Sequence, residues 1–93
     1  MMNTTALELV KARIGITSKV RDFYLEKIIE GVISELKNIQ GLSIDNDDPH
    51  QLMFVVDLAD WRYHNRNDPA GMPRHLQFRL HNLVISSGGG SDA

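Results

Sequence analysis

Asp48-Pro49-His50-Gln51-Leu52-Met53-Phe54-Val55-Val56-Asp57-Leu58-Ala59-Asp60-Trp61-Arg62-Tyr63-His64 is the stretch on which the reading of this chain turns. Asp48 has the chemistry of a helix N-cap. Pro49 suits the first turn, where a missing N–H costs nothing, and Gln51 stands at the reciprocal capping position. The helix so started is predicted over 49–64 and is apolar nearly all round. Leu52, Val55, Val56, Ala59 and Tyr63 fall on one face, and Phe54, Leu58 and Trp61 on another. His50, Asp57, Asp60 and His64 leave only a narrow polar stripe. Such a helix is either central in its own fold or shared with another subunit. In so small a chain the second option has weight. Phe54, Leu58 and Trp61 are therefore expected at a subunit contact, where aromatic anchors often dominate.

Three further helices are predicted on either side, and no strand. The first covers about Ala6–Ile14, with Thr5 and Glu8 in the form of a capping box and Leu7, Val10 and Ile14 on one face. Gly15 stops it. The second and longest covers about Lys19–Gln40, capped by Thr17 or Ser18. Its apolar stripe is Val20, Phe23, Tyr24, Ile28, Val32, Leu36 and Ile39, widened by Leu25, Ile29 and Ile33. Gly31 inside it costs roughly 1 kcal/mol relative to Ala, which a close helix crossing explains. Gly41 ends it, and Leu42 and Ile44 tuck under the helices in the connection that follows. The fourth helix covers about Pro73–Ile85. Leu76, Leu80, Leu83 and Val84 face inward, Phe78 and Ile85 lie off that stripe, and Arg74, His75, Gln77, Arg79, His81 and Asn82 face out. The expected fold is a small all-α antiparallel bundle of about four helices, residues 1–86. Residues 87–93, rich in Gly and Ser, are expected to form a flexible tail.

Ninety-three residues make one small domain, too short to bury a large core and often helped by partners. Without Cys there are no disulfides or thiolate metal ligands. No run approaches the ~18 apolar residues of a membrane span, and the N-terminus lacks a signal-peptide pattern, so a cytoplasmic chain without membrane contact is expected. The net charge of −2 hides an asymmetry. Residues 1–60 carry ten Asp/Glu against six Lys/Arg, whereas 61–85 carry Arg62, Arg66, Arg74 and Arg79 against Asp68 alone. Arg is suited to planar contacts with carboxylate or phosphate. These four arginines are expected to serve contacts outside the domain's own core. Two outcomes are open: pairing with the acidic loop Asp45/Asp47/Asp48 of a neighbour, or lining a DNA channel. Internal pairing, such as Arg62 with Asp57 or Asp60, is the plainer alternative.

No constellation argues for chemistry. Asp57, Asp60 and His64 share a helical face, but a charged helix stripe looks the same and no metal is expected there. Asp45-Asn46-Asp47-Asp48 opens like a calcium loop, yet His50 and Val56 stand where that loop needs Gly and Glu. Ser18, Ser34 and Ser43 have no nucleophile context. The terminal glycines follow a helix and precede nothing, so they cradle no phosphate. Neither catalytic nor cofactor-binding residues are expected. A recognition helix reading Arg74, His75, Gln77, Arg79, His81 and Asn82 into DNA is weakened by the low overall basicity and by the two prolines in the preceding turn.

The order of segments resembles a known family. A short helix ends Arg13-Ile14-Gly15-Ile16. A long helix begins Arg21-Asp22-Phe23-Tyr24-Leu25 and continues Ile28-Ile29-Glu30. After a polar loop comes an apolar helix ending Ala59-Asp60-Trp61-Arg62-Tyr63-His64-Asn65-Arg66, and Gly71-Met72-Pro73 introduces the last helix. Over roughly residues 5–85 this pattern resembles the head–tail connectors of tailed bacteriophages, also described as DNA-packaging adaptors. The resemblance implies a non-enzymatic structural protein of phage or prophage, in a homo-oligomeric ring of about a dozen copies on the portal protein. Such a ring extends the DNA channel and docks a neck or tail-completion protein; non-specific contact with packaged DNA is what the four arginines would make if they line that channel. It implies a place at the head–tail interface of the virion, reached from the host cytoplasm. The alternative is a small helical DNA-binding or regulatory protein.

Overall fold

The computed structural model describes residues 2–65 and 71–86, in which four helices run α1 (Met2–Ile14), α2 (Asp22–Asn38), α3 (Pro49–His64) and α4 (Arg74–Ser86). Among the described residues there is no strand. The all-α fold expected from periodicity is the one observed. The tail at 87–93 and the corner at 66–70, including Arg66 and Asp68, lie outside the described residues.

α3 is the central element. It packs against α1, α2 and α4, and α1 also packs on α2, whereas among the described helices α4 packs on α3 alone. Gln51, Phe54, Val55, Val56, Leu58, Ala59 and Tyr63 are buried along α3. Met2, Ala6 and Val10 of α1, Leu25, Ile29, Val32 and Leu36 of α2, and Leu76 of α4 close around it. The helix that looked too apolar for one small core is thus surrounded by three neighbours. Asp48 caps it as expected, accepting from the His50 N–H at 2.8 Å.

Gln51 does not complete a capping box. Its side chain is buried and turns back on the α2–α3 connection, accepting from the Asp45 N–H at 2.8 Å and donating to the Ser43 carbonyl at 3.0 Å. This satisfies a buried amide and pins Leu42 and Ile44 beneath the helices. Leu42 is buried, and Ile44 packs partly against the core.

The other boundaries differ in instructive ways. α1 starts at Met2, so Thr5 lies inside the helix and caps nothing. Met2 donates its backbone N–H to Asn46 Oδ1 at 3.3 Å, tying the start of α1 to the acidic loop. α2 starts at Asp22 with Arg21 at the N-cap and no side-chain cap. The chain from Ile16 to Arg21 is spent on the turn out of α1, and Ser18 accepts only from the Val20 N–H, at 3.4 Å. Gly15 and Gly41 end α1 and α2 at φ +88° and +74°, a left-handed conformation that favours glycine. Beyond each, a backbone N–H reaches back to the helix: Ile16 to the Lys11 carbonyl at 2.9 Å and Leu42 to the Leu36 carbonyl at 2.8 Å.

Gly31 serves no close crossing. It is exposed, and a Cβ built there meets nothing within 4 Å. Gly31→Ala should therefore raise stability by about 0.5–1 kcal/mol, because an exposed helix interior favours alanine over glycine. Urea denaturation measures this, and a destabilised variant would show that the position has a packing role.

Candidate functional site

Three helices deliver charge to one cleft. Asp57 and Asp60 stand one turn apart on α3. Arg13, at the end of α1, donates from Nη1 to Asp57 Oδ1, and its Nε lies 3.5 Å from Asp60 Oδ2. Arg79 of α4 takes the other oxygen of Asp57 at 2.5 Å, with its guanidinium carbon 5.5 Å from the centre of the Phe54 ring. His64 lies with Nδ1 2.9 Å from Asp60 Oδ1. Trp61, His75 and Leu76 complete the walls of the cleft, about 430 Å³ in volume.

The electrostatics follow from this geometry. Burial alone would push the Asp57 carboxyl up. Hydrogen bonds from Arg13 and Arg79, and their charges, outweigh it and hold the group below the ordinary carboxylate value. The hydrogen bond to Asp57 raises the Arg13 guanidinium in turn, against the opposing effect of desolvation. A carboxylate shared between two guanidiniums is a strut rather than a proton carrier. Both its oxygens are taken, and it joins α1, α3 and α4 at one point. Among the described residues no group of three or more His, Asp or Glu is placed to hold a metal ion, and no helix is long and apolar enough to cross a membrane.

The residues singled out from sequence do not gather into one face. Arg62 pairs with Glu35 of α2 at 2.6 Å, rather than with Asp57 or Asp60. Arg79 is turned into the cleft. Arg74 is exposed, and among the described residues no carboxylate lies within ion-pair reach of it. Arg66 lies outside the described residues. Internal pairing thus describes Arg62 and Arg79 as well as any outside contact does. Phe54 and Leu58 are fully buried in the chain's own core, because α4 and α1 cover the sides of α3 that looked spare. Trp61 is half-buried beside the cleft.

The uncovered apolar residues lie elsewhere. Val20 is 87% exposed, Phe23 70% and Ile39 75%, although the helical stripe assigned all three to the core. The core stripe of α2 is Leu25, Ile29, Val32 and Leu36, all four within the widened apolar stripe read from the sequence. A signal for this was present in the sequence. One helical row from Phe23 runs through Glu26, Lys27, Glu30, Ser34 and Lys37, a polar face that no core accepts. Lys27 lies over the Phe23 ring at 5.3 Å, and Arg21 donates to the Tyr63 hydroxyl. On α4, Phe78 and Ile85 are also exposed. A groove of about 650 Å³ runs between the start of α3 and α4, lined by Asp48, Pro49, His50, Met53, Arg79, Asn82 and Leu83.

These features define the chain as a small all-α domain with a salt-bridged interior cleft and separate apolar patches on its surface. Comparison with protein-family models, curated proteins and solved structures gave no match.

Asp57→Asn should cost about 1–2 kcal/mol at neutral pH, discounted for the exposure of both arginines, which leaves them screened by solvent. The sign of the pH dependence follows from the depressed carboxyl. Its stabilisation is full above the unfolded value of about 3.9 and is lost as pH falls through the lower folded value. Denaturation of both proteins from neutral to acid pH should show the gap closing only at the acid end. A constant gap would mean that Asp57 acts through packing.

Proposed function

We propose that this chain is a structural head–tail connector of a phage or prophage. In this reading it assembles as a homo-oligomeric ring on the portal vertex, extends the DNA channel and docks a neck or tail-completion protein. The order of helical segments supports the reading through its resemblance to that family. The structural observation that carries it is the placing of the uncovered apolar residues. Val20 and Phe23 stand at the start of α2, and Phe78 and Ile85 on α4, two helices that do not touch. A subunit in a closed ring needs two different side faces, because its contacts are head-to-tail. A patch at one place alone would suit a symmetric dimer.

In this reading the chain performs no catalysis and needs no cofactor. The Asp57 cluster holds the subunit rigid, so that its two faces keep a fixed relation. Arg74, on an α4 that contains no acidic residue, contacts either packaged DNA or an acidic protein surface. Contact with DNA of this kind is non-specific and weakens steeply with salt.

The alternative, a small DNA-binding or regulatory protein, is favoured by one feature: Arg74, His75, Gln77, His81 and Asn82 all lie exposed on α4. One pair of measurements separates the two readings. A connector should bind the purified portal protein encoded beside it and form a complex of many copies by native mass spectrometry. A regulator should stay a monomer or dimer and shift a specific duplex. Charge reversal at Arg66 and Arg74 should reduce infectious particle yield in the first case. Normal assembly and infectivity of that double variant would remove any role for the basic corner.

A further inference from the structure

We propose that the ridge formed by Val20 and Phe23 docks into the α3–α4 groove of a second copy of this chain, in a head-to-tail contact. The inference rests on the ring reading and gives it a specific interface, in which the α3–α4 groove, and not Phe78 or Ile85, receives the ridge.

Both surfaces carry uncovered apolar side chains, and the charges beside them are of opposite sign. The ridge is apolar at its crest and basic on its N-terminal side, where Lys19 and Arg21 are exposed, whereas on its other side Lys27 is paired with Glu30. Lys19 is exposed beside Val20, and Lys27 lies over the Phe23 ring. The groove presents Pro49, Met53 and Leu83 as apolar lining, and its charged lining is Asp48 with Arg79, the latter already paired with Asp57. Asp48 lies in its wall, and Asp45 and Asp47 are exposed in the loop leading into it. Phe23 and Val20 project as large apolar side chains without cover in their own subunit. Grouped exposure of this kind marks an interaction surface, whereas scattered single residues do not.

One chain cannot satisfy itself. Arg21 donates to the Tyr63 hydroxyl, which anchors the ridge beside the C-terminal end of α3. The groove begins at Asp48 and Pro49, at the other end of the same helix. Met53 and Tyr63 are ten residues apart on α3, about 15 Å at 1.5 Å per residue. Ridge and groove therefore stand at opposite ends of a rigid rod. Contacts between them repeat from copy to copy, and they close into a ring where the rotation allows.

The absence of native cysteine makes a direct test clean. The full chain carrying both Val20→Cys and Met53→Cys, mildly oxidised with and without purified portal protein, should give a ladder of dimers, trimers and larger species on a non-reducing gel. Each single variant should give dimers at most. A disulfide inside one chain is blocked, because it needs Cα atoms within about 7 Å. Independently, Phe23→Asp and Met53→Asp should each weaken self-association by about 30-fold or more, the factor of an aromatic hot spot. Mixed together they should form a one-to-one heterodimer and stop, since each retains one intact face. Both positions are exposed, so circular dichroism should show unchanged folds.

No ladder in either condition would overturn the proposal. So would single variants that cross-link as strongly as the double one, or a mixture that forms no heterodimer. The connector reading fails separately. A ladder without any portal binding would sink that reading and leave the contact standing, whereas portal binding without a ladder would sink the contact alone.

Discussion

Every other helix of the bundle touches α3, and among the described helices α4 touches α3 alone. That constraint governs the rest. A helix buried on three sides has little room for polar residues, and those it keeps must be neutralised by its neighbours. Asp57 and Asp60 face the junction of α1 and α4, where Arg13 and Arg79 reach them from opposite helices. The same ion cluster thus joins the helix with the fewest neighbours to the body of the fold. A small domain gains from this, because its hydrophobic core alone contributes little beyond the entropy of ordering the chain.

Filling the surroundings of α3 also decides what is left over. The core uses Leu25, Ile29, Val32 and Leu36 from α2, and the rotation that buries them turns Phe23 outward. The turn from Ile16 to Arg21 then carries Val20 to the outside, held there by Arg21 on Tyr63. At the opposite end, Asp48 and Pro49 start α3 where α4 passes by, and a groove remains between them. Two distinct unfilled surfaces follow from the packing of one central helix. The head-to-tail assembly proposed above would use two distinct surfaces of this kind.

The charge asymmetry acquires a different meaning in three dimensions. Of the four arginines in residues 61–85, Arg62 and Arg79 are spent inside the subunit, on Glu35 and Asp57. Among the described residues Arg74 remains outward. The acidic loop at 45–48 is held by the backbone N–H groups of Met2 and His50 and by the Gln51 side chain, yet Asp45 and Asp47 are exposed. In the proposed head-to-tail contact, exposed charge of opposite sign at the two ends of a rod would steer copies into register as they meet.

The sequence by itself determined the number and kind of elements. Period-3.6 apolar patterning, Asp48-Pro49 at a helix start, and Gly15 and Gly41 at helix ends are local signals, set by backbone sterics and by unpaired N–H and C=O groups. The inward stripe of α4 was legible for the same reason. What only the tertiary structure decided was which face of a doubly apolar helix is covered. α2 offered two stripes and α3 two faces, and patterning cannot choose between faces that are both apolar. The choice depends on where the other helices lie. Three neighbours around α3 buried Phe54 and Leu58, and one turn between α1 and α2 left Val20 and Phe23 outside. The partners of Arg13, Arg62 and Arg79 were hidden in the same way. Each ion pair spans different helices, and such a pair exists only once the helices have been brought together.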